Sequence, residues 1–316
     1  VGPHPTMKRS ALTFVHTAQT RKSGSALLAV FWGIIVLTMA VAGWFFWLQQ
    51  RVQGHGQDSR SIEALAMAHS GIAMALNPKV DRYSSLLQTE IEPGLGFRVT
   101  MESEGSRLNL KLLLTGNDSA RLAIFKKWLE WVIGVEDVIE RDRLVDCLLD
   151  YVDPDNIARI HGQEDNKDYH PANRMILSLD ELKRIPGMEP LLAYPGWKDL
   201  LTLDSSKVLD LMEAPEELLR VLPGFSEVQV QRLLQIRVGM DGVLHTEDDP
   251  KYKSTDALLK QLGMSNEKRR AELEALVGVN ESTIRIQAEG YSGKVIRQVQ
   301  VVVRKGTGTP QILSWI

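Results

Sequence analysis

The chain has one cysteine among 316 residues, Cys147, so no internal disulfide framework can form. Cys147 lies in the apolar pattern Leu144–Val145–Cys147–Leu148, which predicts a buried, unreactive thiol. Neither charge sign is in marked excess: 37 Lys+Arg stand against 40 Asp+Glu, a net of −3. That balance argues against nucleic acid as the main partner. Enzyme signatures are missing too. The sequence holds no His-Glu-x-x-His, no Gly-x-Ser-x-Gly, no phosphate-binding loop and no Gly-x-Gly-x-x-Gly after a strand. The seven histidines are scattered, and although His161 and His170 share a loop, no cysteine joins them for a zinc set. These absences favour a structural or binding protein over an enzyme.

What the chain does have is a long uncharged run, Ser25–Leu48. As a helix it is about 36 Å long, enough to cross a bilayer core of about 30 Å with some tilt. Lys8, Arg9, Arg21 and Lys22 lie on its N-terminal side, which predicts a cytoplasmic N-terminus and an extracytoplasmic body. Trp44, Phe46 and Trp47 suit the outer interface. Three readings compete. A cleavable secretory signal needs a small-residue exit site, and Val41–Gly43 is a poor one because Trp44, Phe45 and Phe46 follow at once. A plain signal anchor is the second. The third rests on the junction Arg21–Lys–Ser–Gly24 followed by Ser25–Ala–Leu–Leu. A short basic leader ending in Gly and running straight into an apolar helix resembles a type IV prepilin signal, cut between Gly24 and Ser25 so that the helix is retained.

After Arg51 a second helical pattern runs Ile62, Leu65, Ala66, His69, Ile72, Ala73, Leu76, one apolar stripe at 3–4 spacing. Gly54 and Gly56 weaken the join, and Asn77–Pro78 ends the helix. His69 on this stripe reads as a satisfied interfacial residue, since no second ligand stands at i±4. Phe97, Val99 and Met101 alternate with polar residues, as do Leu108, Leu110 and Leu112, across a turn at 103–106. This predicts a hairpin. From Asp118 to about Val277 the pattern is mostly helical, with a capping-box start at Ser178–Glu181. Two stretches, 179–188 and 215–225, each read as a helix, a Pro-Gly and an apolar residue, a weak helix–hairpin–helix signature. Residues 282–316 alternate again. Two β segments around about 160 helical residues predict an α+β fold with one sheet and a large helical insertion. The expected divisions are 1–24 leader, 25–77 N-terminal helix, 78–117 first β part, 118–280 helical insertion and 281–316 second β part.

The chemistry-bearing stretch lies inside the insertion. From Glu136 to Asp168 there are 11 acidic and 4 basic residues, a net of −7 from a chain whose total is −3. Asp150, Asp153, Asp155, Asn156, Glu164 and Asp165 supply oxygens of the kind a hard divalent cation takes six to eight of. With Asp153 as position 1 of a calcium loop, Asp155 falls at 3 and Glu164 at 12, but Ile157 at 5 and Ala158 at 6 break the template. A solvated acidic turn salt-bridged by Arg159 is the plainer alternative. The loop Asp241–Asp249 is a second acidic stretch with a weaker claim.

Taken in order, several phrases together resemble GspK, the family of large minor pseudopilins of type II secretion. They are the leader junction, Glu104–Gly–Ser–Arg–Leu–Asn–Leu110, Asp150–Tyr–Val–Asp–Pro–Asp155 with Gly162–Gln–Glu164, Tyr169 and Pro171–Ala–Asn173–Arg174, then Leu182–Lys–Arg–Ile–Pro–Gly–Met188, the Ala214–Pro215 to Gly224 stretch and the β tail. The resemblance runs from Arg21 to the C-terminus. It implies a pilin-like fold whose sheet is interrupted by the helical insertion and calcium at the acidic block. It also implies processing by prepilin peptidase at Gly24–Ser25, an inner-membrane anchor with a periplasmic body, and other minor pseudopilins as partners. Ala29 replaces the Glu that most pseudopilins carry at the fifth mature position, as fits a subunit at the tip. Ser25 stands where many pilins have Phe or Met, and Asp210–Leu–Met–Glu–Ala214 departs from the family's Asn-x-Asn-Thr-Ala. The alternative function is that of a type IV pilus or competence-like minor pilin, or a membrane-anchored nucleic-acid binder using the paired Pro-Gly turns. Against the latter, Glu189 and Glu227 follow those turns where a phosphate binder would carry Lys or Arg.

Overall fold

An uninterrupted apolar run with no proline satisfies its own backbone only as a helix, and that is what forms. The computed structural model of the chain describes residues 23–134, 138–306 and 309–316. The expected leader falls, for residues 1–22, outside them. Helix α1 (Ser23–Ala75) takes in both expected helical segments, with Gly54 and Gly56 inside it. Leu28–Trp47 is the one helical span among the described residues that is long and apolar enough to cross a membrane, with a mean hydropathy of 2.2.

Residues 60–316 form a separate compact unit. Its strands are β1 (Gln88–Glu92), β2 (Leu95–Ser103), β3 (Leu108–Asn109), β4 (Leu201–Thr202), β5 (Leu209–Asp210), β6 (Val277–Gly278), β7 (Thr283–Ser292), β8 (Val295–Arg304) and β9 (Gln311–Trp315). One antiparallel sheet has the order β1-β2-β7-β8-β9. Phe97 pairs with Gly290, Val99 with Ala288 and Met101 with Ile286, so the alternation of the two strands falls in phase. The inward positions of β2, β7 and β8 meet the last turns of α1 in one small core that includes Ile72, Phe97, Ile286 and Val301.

The expected stripe on α1 is not the face that packs. Of that stripe only Ile72 is buried, while Ile62 and Leu65 are 70% and 40% exposed. The sheet instead takes Ala64, Ala68, Gly71, Ile72 and Ala75. Small residues win here because helix and sheet approach closely. A Cβ on Gly290 would lie 1.9 Å from the Ala64 carbonyl oxygen, and one on Gly71 would lie 2.8 Å from a Val99 methyl. His69 is exposed on α1 and stacks on Trp315 of β9, with centroids 5.6 Å apart.

The expected hairpin is also placed differently. β2 turns back through Pro93–Gly94, with Gly94 at φ +80, onto β1. β1 escapes notice in the sequence because nearly all of it is exposed and it does not alternate. Leu108–Leu112 makes no hairpin strand. β3 is only two residues long and pairs in parallel with β4. Helix α2 (Leu110–Leu114) follows, capped by Asn109, whose Oδ1 accepts from the Leu112 amide at 3.0 Å. Leu108, Leu110, Leu113 and Leu114 are all buried, which a one-sided strand could not achieve.

Between β2 and β7 the chain builds a second, larger core. Its helices are α3 (Ser119–Ile133), α4 (Val138–Val152), α5 (Glu189–Ala193), α6 (Trp197–Leu200), α7 (Glu216–Arg220), α8 (Glu227–Arg237), α9 (Thr255–Gln261) and α10 (Glu267–Leu276). Fully buried Phe125, Trp128 and Leu129 from α3 and Leu144 and Leu148 from α4 lie at its centre. The core starts at Leu108, ahead of the expected division at 118. The box at Ser178–Glu181 opens a short 3-10 turn, Leu179–Arg184, instead of an α-helix, and a second box joins Ser226 to Gln229 at the start of α8. Both Pro-Gly turns put glycine at φ +81, Gly187 and Gly224.

Candidate metal centre

Helix α4 carries the site. Its apolar face, Leu144, Val145, Cys147 and Leu148, is held in the core, and the same packing draws Asp150 inside, where its side chain is fully buried. Cys147 is buried as expected, and burial pushes its thiol pKa up. Asp153 extends the helical turn, its amide donating to the Leu149 carbonyl at 3.0 Å. The chain then loops out and back. His161 donates its amide to Asp146 at 3.2 Å, and Gly162 passes directly over Asp150. A Cβ at Gly162 would fall 1.9 Å from Asp150 Oδ2, so only glycine lets the loop close there. The return brings Glu164 against Asp150 and Asp153, with one carboxylate oxygen from each within 4.8 Å of the others.

The three acids do not share donors evenly. Asp150 accepts from the Arg159 amide at 3.1 Å, and the Arg159 guanidinium bridges Asp150 and Asp153. Glu164 is only 8% exposed, and neither of its carboxylate oxygens lies in hydrogen-bonding geometry with a donor. Asp153 Oδ1 is buried and unpartnered as well. Burial raises the Glu164 pKa, and the negative charges of Asp150, Asp153 and Asp155 raise it further; the nearby Asp165 amide opposes this. An ionised carboxylate in such a place is costly unless a cation joins it.

Of the six residues expected to ligate, Asp150, Asp153 and Glu164 converge. Asp153 and Glu164 are positions 1 and 12 of the partial calcium template. The other three stand at the rim. Asp155 is exposed and accepts from the Ile157 amide at 2.9 Å. Asn156 is exposed and accepts from Asn173 Nδ2 at 3.1 Å, and Asp165 pairs with His170. Two residues outside the acid count belong to the neighbourhood. The Tyr169 hydroxyl is buried without a partner, and its pKa is raised by burial first and then by nearby negative charge. Asn173 has φ +49 and a buried, unpartnered Oδ1. Their signal in the sequence was only their place in the phrase from Tyr169 to Arg174.

The second acidic loop is organised differently. Asp248 accepts from the Met240 and Asp241 amides at 2.7 and 3.2 Å, and Asp249 from the His245 and Thr246 amides at 2.7 and 3.2 Å. Its carboxylates are taken up by its own backbone. Among the described residues, only the Asp150 cluster brings three such groups together.

The model of the type II secretion system protein K family, first part, matches residues 106–193. That span holds α3, α4 and the whole acidic loop. Residues 106–193 are thus similar to the first part of the protein K family of type II secretion. The fold around them is GspK-like. A chain of the crystal structure of the GspK-GspI-GspJ complex from enterotoxigenic Escherichia coli superposes with a TM-score of 0.53 at 14% identity, covering 85% of this chain and 97% of that one. No curated protein matches the chain.

Proposed function

We propose that the chain is a minor pseudopilin that sits at the tip of a type II secretion pseudopilus and helps nucleate it with other minor pseudopilins. The observation that carries this reading is the protein K segment at 106–193, set between two strands, β2 and β7, that pair with each other in a sheet packed on an N-terminal helix. A helical body of that size, spliced into the sheet of a small subunit, suits an end position, where nothing stacks above it. The matched crystal structure holds GspK together with GspI and GspJ, and by analogy two smaller prepilin-like proteins are the partners here.

In this reading Leu28–Trp47 anchors the chain in the inner membrane, with the N-terminus cytoplasmic and the body periplasmic. Prepilin peptidase cuts after Gly24. Ala29 leaves the mature helix without the carboxylate that would require a neighbour above. The exposed Ile62 and Leu65 and the apolar span supply contact surface for neighbouring helices, with Gly33, Ala40, Ala42 and Gly43 allowing close approach. Calcium binds at the acidic centre, where Asp150, Asp153 and Glu164 would hold it and Asp155 adds charge at the rim. The unpartnered oxygens of Glu164 and Asp153 fit such an ion. Its part is to neutralise the cluster and tie the end of α4 to the returning loop. No catalytic step is assigned to any residue.

N-terminal sequencing of the membrane-extracted chain from a host that carries the peptidase tests the processing at the base of this reading. The mature protein begins at Ser25. An intact leader, or a start beyond residue 43, contradicts it.

A further inference from the structure

The acidic centre already contains one cation, and it is a side chain. We propose that the Arg159 guanidinium is the resident counter-charge of this centre and that a divalent cation enters by displacing it. The inference rests on the calcium reading above and adds how the site is regulated.

Three observations carry it. First, one guanidinium nitrogen, Nη1, bridges Asp150 Oδ1 and Asp153 Oδ2, so Arg159 occupies the gap between two of the three converging carboxylates. Second, Arg159 does not satisfy the third. Glu164 stays buried with both oxygens unpartnered, so three carboxylates share a single positive charge. Third, the exit is open. The Arg159 side chain is 25% exposed, while the side chain of Asp150 is not exposed at all. The guanidinium can swing into water, whereas the acid cannot leave.

A calcium ion binds oxygens at about 2.3–2.6 Å, so two ligands on opposite sides of it lie about 4.6–5.2 Å apart. The three carboxylate oxygens lie within 4.8 Å of one another, close enough for one ion to be held among all three. That ion would sit among the carboxylates that Nη1 now bridges, and two cations cannot share that space. The backbone of Arg159 need not move. Its amide donates to Asp150 Oδ2 at 3.1 Å, which keeps the loop closed over the site whether or not the side chain is inside. Arg159 thus holds the loop when calcium is scarce and weakens apparent calcium affinity by competing for the same carboxylates. Each charge-assisted hydrogen bond that Arg159 makes must be given up on calcium binding, so removing the competitor tightens calcium binding on the order of tenfold.

Calorimetric titration of calcium chloride into the full chain in detergent, alongside melting with and without the ion, tests this. Arg159→Gln should bind calcium about tenfold tighter than the wild type, melt lower without calcium, and gain more on its addition. Arg159→Lys keeps a charge but carries it on a shorter side chain as a strongly hydrated ammonium, and it should fall between the two. If Arg159→Gln does not fold without the ion, the lysine variant decides: tighter binding than wild type supports the displacement, and equal or weaker binding overturns it. Calcium binding by the wild type with no gain in either variant overturns the displacement alone. No binding by the wild type or by either variant overturns the calcium reading and this inference with it.

Discussion

Arg285 Nε on β7 donates to Glu104 Oε1 at 2.7 Å, joining two residues 181 apart in sequence. Both side chains are buried, at 10% and 1% exposure. Glu104 stands where the chain leaves β2 for the helical part, and Arg285 stands on the strand by which it returns. Thr202 of β4 donates to the same carboxylate. One buried acid therefore ties the exit, the return and an inner strand of the insertion together. Glu104→Ala leaves the Arg285 charge buried and unpaired, which costs about 3–5 kcal/mol. Chemical denaturation should show that loss, with most of it recovered in the double variant Glu104→Leu/Arg285→Met. A loss below about 1 kcal/mol in the single variant contradicts the role.

Gly290 tests the close approach of α1 to the sheet. A methyl there meets the Ala64 carbonyl and the Ala68 amide, both rigid backbone. Gly290→Ala should destabilise by about 1–3 kcal/mol, as overpacking of a tight core does. Ala66→Ser, on the exposed side of the same helix, should fall within about 0.5 kcal/mol of wild type. Equal effects at both positions would mean that the helix meets the sheet through another face.

Asp210 gives a pH dependence with a definite sign. Burial pushes its pKa up to about 6, with Glu213 and Glu281 adding to the rise, although the Glu281 and Met212 amides donate to it at 2.7 and 2.8 Å. The unfolded value is about 3.9. Because the folded pKa is the higher one, this group favours folding fully below about pH 4, and that contribution is lost as the pH rises through about 6. Stability should therefore gain more in the wild type than in Asp210→Asn when the pH falls from 7.5 to 5, by about 1.4 kcal/mol. Identical pH responses contradict this placement of Asp210.

Calcium should raise the melting temperature of the full chain, and EGTA should lower it, because an ion bound only by the folded state stabilises by mass action. Asp153→Ala should abolish the difference. Equal melting in both conditions speaks against the metal centre.

Much of this architecture is legible in the sequence. Alternation in β7 and β8 and 3–4 spacing in α3 are visible because apolar and polar residues fall on different faces there, and the Pro-Gly pairs because both mark turns with glycine at φ +81. The failures have a common cause. Phe97–Met101 was legible as a strand, but β1 is too exposed to show alternation. Leu108–Leu114 mimics a strand over its first five residues because Asn109 and Lys111 alternate with leucines, although Leu113 and Leu114 are both buried next to each other. On α1 the large residues suggested the packed face, whereas contact with Gly290 selected the small ones. At the acidic loop, composition identified the region, but only three of six proposed ligands converge, because which carboxylates turn inward is decided by α4 packing and the passage of Gly162.

The claim at the centre of this account is that the chain joins a closed complex of minor pseudopilins and does not propagate a filament. Co-expression with the other prepilin-like proteins of its own system, followed by extraction and mass measurement, tests it most directly. The account predicts a stable complex of this chain with two smaller partners in a one-to-one-to-one ratio, unchanged by Ala29→Glu. Self-assembly of the purified chain alone into long filaments would contradict it.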